Sequence, residues 1–228
     1  MDESARGKID ILITGVGGQG VVLAGDIIGD VALETGYDVK KSDTQGMAQR
    51  GGSVVAHVRL GTDVASPLIP KGEADYLLSF EKLETMRWVD HIKDGAIVIF
   101  NEQAIPPLSV SRGEAEYPDD EKIFSTIGAR TEDFFPLQGD KLVDGLGEPK
   151  VLNMLMLGAL SMFLPFSPDV WRKVIAQRLP EKAAALNVKA FDAGRKELLR
   201  QTAEKARQEE LFELEEGDHQ HEDDCGCE

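Results

Sequence analysis

Two glycine-rich segments concentrate the residues of this chain that could do chemistry. The first, GVGGQG from Gly15 to Gly20, satisfies GxGxxG through Gly15, Gly17 and Gly20. It lies between an apolar run, Ile9 to Thr14, and a stretch with helical periodicity, Val21 to Glu34. In that setting glycines let backbone amides approach an anion, and the helix that follows adds the positive end of its dipole. A dinucleotide site also wants an acid at the end of the second strand. The one candidate, Asp43, comes later than the usual interval and runs into a long loop. The loop therefore reads either as a phosphate cradle or as a tight structural turn or subunit contact.

The second segment, Ser42 to Ser53 (SDTQGMAQRGGS), is long and polar and carries a single cation, Arg50, followed by Gly51 and Gly52. Loops of this length and composition usually have work to do. If the first two strands are parallel, both glycine loops emerge at the carboxyl edge of a sheet, where open α/β sheets place their sites. Arg50 can then clamp a carboxylate or phosphate with two hydrogen bonds while neighbouring amides form an anion nest. The competing reading is a structural or intersubunit ion pair. Convergence of the two loops singles out Gly17, Gly18, Gln19, Gln49, Arg50, Gly51 and Gly52 as the residues lining a ligand or a partner.

Other chemistry is missing. The sequence has no GxSxG elbow, no HExxH, no Walker A loop with its lysine and no paired CxxC motifs. His57 and His91 stand alone and read as structural. His219, His221, Cys225 and Cys227 near the C-terminus are suitable ligands for a soft metal ion, but their spacing fits no structural zinc pattern. No metal site and no catalytic residue are assigned to the chain.

The elements that must position the loops follow from periodicity. Ile9 to Thr14, Tyr37 to Lys41, Ser53 to Leu60, Tyr76 to Phe80 and Ala96 to Phe100 read as strands, with Val54, Ala56, Val58 and Leu60 alternating onto one face of the third. Val21 to Glu34 and Glu81 to Ile92 read as helices, and Thr131 to Leu137 as a further edge strand. In the first helix Gly25, Gly29 and Ala32 share a face and let it approach the sheet closely. From Pro149 the chain is expected to stay helical, with one helix capped by Ser167-Pro168-Asp169 and another from about Pro180 to Glu210 that is weak at Asn187 and Gly194. Strands alternating with helices predict an α/β fold, a mostly parallel, Rossmann-like sheet with helices on both faces followed by a C-terminal helical segment.

Residues 1–207 are expected to form one α/β domain, with its helical extension at about 149–207, and 208–228 an acidic, disordered tail. That tail holds ten acids and no Lys or Arg, which leaves 31 acids against 25 bases elsewhere and explains most of the net charge of −16. The body is only mildly acidic and has no basic stripe, so nucleic acid is not an expected partner. The N-terminus MDESARGKID has no apolar core and is no secretory signal, and Val151 to Phe166 is too short and too polar to span a membrane. A cytoplasmic protein without membrane contact is expected.

Read together, ITGVGGQGVVLAGDI, GYDVKKSDTQGMAQRGGSVVAHVRLG and SPLIPKGEADYLLSFEKLE resemble the small (beta) subunits of indolepyruvate:ferredoxin oxidoreductases. The likeness continues through NMLMLGAL (Asn153 to Leu160) and NVKAFDAG (Asn187 to Gly194) and leaves the acidic tail outside. More broadly, the chain is similar to the gamma component of pyruvate- and other 2-oxoacid:ferredoxin oxidoreductases. The resemblance implies an enzyme subunit that is inactive alone. Its larger (alpha) partner would hold thiamine diphosphate, Mg and iron-sulfur clusters, and the complex would convert an arylpyruvate and coenzyme A to an aryl-acetyl-CoA and carbon dioxide while reducing ferredoxin. In keeping with this, the sequence lacks cluster-ligating cysteine motifs and a GDG followed by Asn. The alternatives are a free-standing dinucleotide-binding reductase, for which GVGGQG is the whole case, and a noncatalytic scaffold in which the glycine loops serve packing.

Overall fold

A computed structural model describes residues 7–45 and 52–222. Six strands form one sheet among them: β1 (Ile9–Val16), β2 (Asp38–Gln45), β3 (Ser53–Gly61), β4 (Ala74–Ser79), β5 (Ile92–Asn101) and β6 (Phe134–Leu137), in the order β2-β3-β1-β4-β5-β6. The pairs β1–β4, β4–β5 and β5–β6 are parallel, whereas β3 runs antiparallel to both of its neighbours, β1 and β2. The expected mostly parallel α/β sheet is present, with one reversed strand inserted. β2 and β3 form a hairpin, and residues 46–52 are its connection.

The central strand β1 explains its own sequence. Ile11 and Ile13 face one core and Leu12 the other, so both faces are covered and the strand reads as a continuous apolar run. The larger core lies between the sheet and α1 (Val21–Glu34), α6 (Leu152–Leu160), α7 (Pro168–Arg178) and α8 (Glu181–Glu222). The smaller core lies on the opposite face, where Val98, Phe100, Ile123 and Ile127 meet beneath α2 (Lys82–Trp88) and α4 (Asp120–Gly128). Two short helices complete the set, α3 (Leu108–Ser111) and α5 (Gly139–Asp144). Alternation in β3 is as expected, since Val54, Ala56, Val58 and Leu60 enter the larger core while Val55 joins the smaller one.

The small residues of α1 face the sheet. A methyl at Gly25 would lie 2.8 Å from Lys41 Cε and one at Gly29 would lie 3.5 Å from Val39 Cγ1, so a side chain at Gly25 would displace the end of the Lys41 side chain. Tightest of all is the crossing of α6 and α8, where a methyl at Gly158 would come within 1.9 Å of the Phe191 carbonyl oxygen and one at Gly194 within 1.8 Å of that of Leu155. The expected weak point at Asn187 and Gly194 is therefore no break: the helix runs on through both, and Gly194 is the place where it touches α6. Among the described residues no helix is long and apolar enough to cross a membrane.

Candidate functional site

Strands β1, β2, β4, β5 and β6 all run the same way, so their carboxyl ends share one edge of the sheet, and the reversed β3 begins there. The condition set by the sequence is met in a modified form, since β1 and β2 are parallel in direction but are separated by β3. Both glycine loops arise at this edge and touch there: the Gly17 amide donates to the Gly52 carbonyl at 2.9 Å. Gln49, Arg50 and Gly51 lie outside the described residues.

GVGGQG is a compact turn organised around Gln19. The Gln19 Oε1 accepts from the Val16 amide at 2.7 Å, and its Nε2 donates to the Phe80 carbonyl at 2.9 Å and to Gln103 Oε1 at 2.8 Å. This side chain, expected to line a ligand, is folded inward and joins the ends of β1, β4 and β5. Gly15 makes room for it, because a methyl there would sit 2.9 Å from Gln19 Oε1 and 2.9 Å from Val21 Cγ2. Gly20 takes φ 85° as the N-cap of α1 and provides no capping side chain. Asn153 of α6 presses its amide onto Gly20, where a methyl would lie 2.6 Å from Nδ2. Gly17 and Gly18 remain on the rim, and a methyl at Gly18 would meet nothing within 4 Å.

Beside the turn sit two buried carboxylates that the sequence reading had missed. Glu81 is 1% exposed and caps α2: it accepts from the Glu84 amide at 2.8 Å, the Ile105 amide at 3.0 Å and the Tyr117 hydroxyl at 2.5 Å. Burial, and then the hydrogen bond to Glu81, push the Tyr117 phenol well above its ordinary range, so it stays a donor. Glu84 accepts from Ser53 Oγ at 2.5 Å and from Arg87 at 2.5 Å. Asn101, at the end of β5, accepts from the Gly139 amide at 3.0 Å. The local hints in the sequence were an acid placed between an apolar strand and a helix and the three-residue spacings Glu81–Glu84 and Glu84–Arg87; Ile105, Tyr117 and Ser53 lie too far along the chain to be read from spacing.

The dinucleotide reading loses its acid. Asp43 is on the outer hairpin strand, ion-paired with Lys41 at 2.8 Å, and β3 stands between its strand and β1. His57 is buried and its Nδ1 accepts from the Ile69 amide at 3.3 Å, a structural role as expected. Among the described residues no three His, Cys, Asp or Glu side chains converge as a metal site would require; Cys225 and Cys227 lie outside them.

Comparison with known proteins agrees with this arrangement. A family model described as pyruvate ferredoxin/flavodoxin oxidoreductase matches residues 10–197. The indolepyruvate oxidoreductase subunit IorB of Pyrococcus horikoshii is 40% identical over 190 residues, covering 82% of this chain and 94% of the relative. That of Thermococcus kodakarensis is 38% identical over 193 residues, with the same coverage of each chain. A solved keto/oxoacid ferredoxin oxidoreductase gamma subunit from Geobacter sulfurreducens PCA shares the fold, with a TM-score of 0.63 at 22% identity over 84% of this chain and 99% of that one.

Proposed function

From the premise that this chain belongs to the pyruvate ferredoxin/flavodoxin oxidoreductase family, we propose that it works in the oxidative decarboxylation of arylpyruvates. It is the small subunit of an indolepyruvate-type 2-oxoacid:ferredoxin oxidoreductase complex. The products are an aryl-acetyl-CoA, carbon dioxide and reduced ferredoxin. A larger alpha subunit holds thiamine diphosphate with Mg and the iron-sulfur clusters, which supply the carbon–carbon cleavage and carry away the electrons. Residues 1–207 join that complex in the cytoplasm, and the acidic segment 208–228 stays outside it.

The contribution of this chain is geometric. Gly17, Gly18 and Gly52, with Gln49, Arg50 and Gly51 of the adjoining connection, present amides and one cation to the substrate or coenzyme A at the seam with the alpha subunit. Gln19 braces the turn from behind, and closing the seam keeps water from the reacting carbon. The observation that carries this reading is the Gly17–Gly52 hydrogen bond at 2.9 Å, which brings the two loops to one point on the carboxyl edge. A free-standing reductase fits less well, because Asp43, the acid it would need, is ion-paired with Lys41 on a strand that β3 separates from β1.

Coexpression with the alpha subunit tests the proposal. Arylpyruvate-dependent reduction of ferredoxin is expected with both chains and with neither alone; turnover by this chain by itself would refute it. In the complex, Arg50→Ala should lower kcat/KM about tenfold or more if the guanidinium clamps an anionic group. Full activity in that variant would remove Arg50 from the site.

A further inference from the structure

Glu84 carries a charge where the fold has little need of one. Its side chain is 3% exposed, and a carboxylate at that depth is costly to desolvate. The N-terminus of α2 is already capped by Glu81, and an apolar side chain of similar size would pack the position without that cost. The two oxygens of Glu84 serve different places. One accepts from Arg87 at 2.5 Å, an ordinary pair one turn along the same helix. The other accepts from Ser53 Oγ at 2.5 Å, 31 residues away in sequence.

Ser53 occupies a junction. It opens β3, it is the last rung of the β1–β3 ladder opposite Val16, and it directly follows Gly52, whose carbonyl accepts the Gly17 amide. Val16 in turn donates to Gln19. A tether from α2 to Ser53 therefore acts on the point where the GVGGQG turn meets the start of β3, and α2 itself is fixed through Glu81 to Ile105 and Tyr117.

We propose that Glu84 is a positioning residue for the reaction of the complex: through Ser53 it holds the Gly17–Gly52 junction in register, so that the rim of the GVGGQG turn meets its ligand in one geometry. The proposal rests on the reading that this rim faces substrate or coenzyme A.

Two measurements on three chains test it: wild type, Ser53→Ala, which removes the donor while leaving Glu84 its Arg87 partner, and Ser53→Thr, which restores a hydroxyl. The first is amide hydrogen exchange over residues 16–20 in the full chain. Ser53→Ala is expected to speed exchange there about three- to tenfold, the scale of one ordinary hydrogen bond, and by more than in strands remote from the junction, with Ser53→Thr close to wild type. The second is steady-state kinetics with the alpha subunit, where Ser53→Ala should raise KM for coenzyme A or the 2-oxoacid about three- to tenfold and leave kcat within about twofold, again rescued by threonine. Wild-type exchange in Ser53→Ala overturns the tether itself. Faster exchange with both KM values unchanged overturns the placement of the rim against a ligand, and with it the role in the reaction.

Discussion

Tyr117 and Glu81 show how much of this edge is held by hydrogen bonds to a buried charge. The phenol donates to a carboxylate that also takes the Glu84 and Ile105 amides. Tyr117→Phe leaves that 1% exposed carboxylate with one donor fewer, so urea unfolding is expected to show a loss of about 1.5–3 kcal/mol. A loss near zero would mean that Glu81 is satisfied without the phenol. His57 gives a pH prediction whose sign follows from burial. Desolvation first, then the neighbouring His91 and Arg59 charges, hold its pKa below the ordinary value of 6.5, and His91 is lowered by its own burial. Below pH 6.5 the unfolded chain takes up protons that the folded chain refuses, so the stability these residues allow is complete above pH 6.5 and declines as pH falls towards their folded values. His57→Gln should flatten part of that decline in urea midpoints measured from pH 7 to about 5.5; an unchanged slope would exclude His57. At this scale the sequence was informative about glycines and poor about their partners. Gly15 and Gly20 sit where a tight turn demands them, but the bracing of Gln19 against Phe80 and Gln103 could not be read, because those partners are 61 and 84 residues away.

Helices α6 and α8 were legible as helices, while their contact was not. Gly158 and Gly194 fall in helix interiors, where propensity alone says that alanine would stabilise by about 1 kcal/mol. The crossing reverses the sign, since an added methyl would lie 1.9 or 1.8 Å from a backbone oxygen of the opposite helix and the two axes would have to separate. Gly158→Ala and Gly194→Ala are each expected to cost about 3 kcal/mol or more in chemical denaturation, the overpacking penalty applied to backbone that cannot rotate away. Either variant at wild-type stability would show that α8 can shift without loss. A similar division holds for the sheet. Alternation in Val54 to Leu60 assigned the faces of β3 correctly, yet periodicity is the same in both chain directions, so the reversal of β3 and its insertion between β1 and β2 could not be read. That reversal is what turns the second glycine segment from a crossover loop into a hairpin connection and brings Gly52 to Gly17.

At the scale of the molecule, the sheet ends in two edge strands, β2 and β6, and they are treated differently. β2 carries Lys40 and Lys41, charges that discourage pairing with another chain. β6 is covered by α8, whose Gln201 donates to the Pro136 carbonyl at 2.8 Å and whose Lys205 donates to the Glu132 carbonyl at 2.9 Å and pairs with Asp133 at 2.7 Å. The covering contacts lie at residues 201 and 205 of α8, and two shortened chains separate the roles of cover and tail. A chain ending at Arg207 keeps Gln201 and Lys205 and loses ten acids, so its thermal midpoint should stay within about 2 °C of the full chain. A chain ending at Arg200 bares the Pro136 carbonyl of β6 and the Glu132 carbonyl just before it. Two hydrogen bonds of about 1 kcal/mol each predict a fall of about 4–8 °C in a chain of this size, together with concentration-dependent association through the opened edge in size-exclusion chromatography. Equal behaviour of the two shortened chains would mean that residues 201–207 of α8 do not protect β6, because loss of residues 208–228 alone would then account for whatever both had lost.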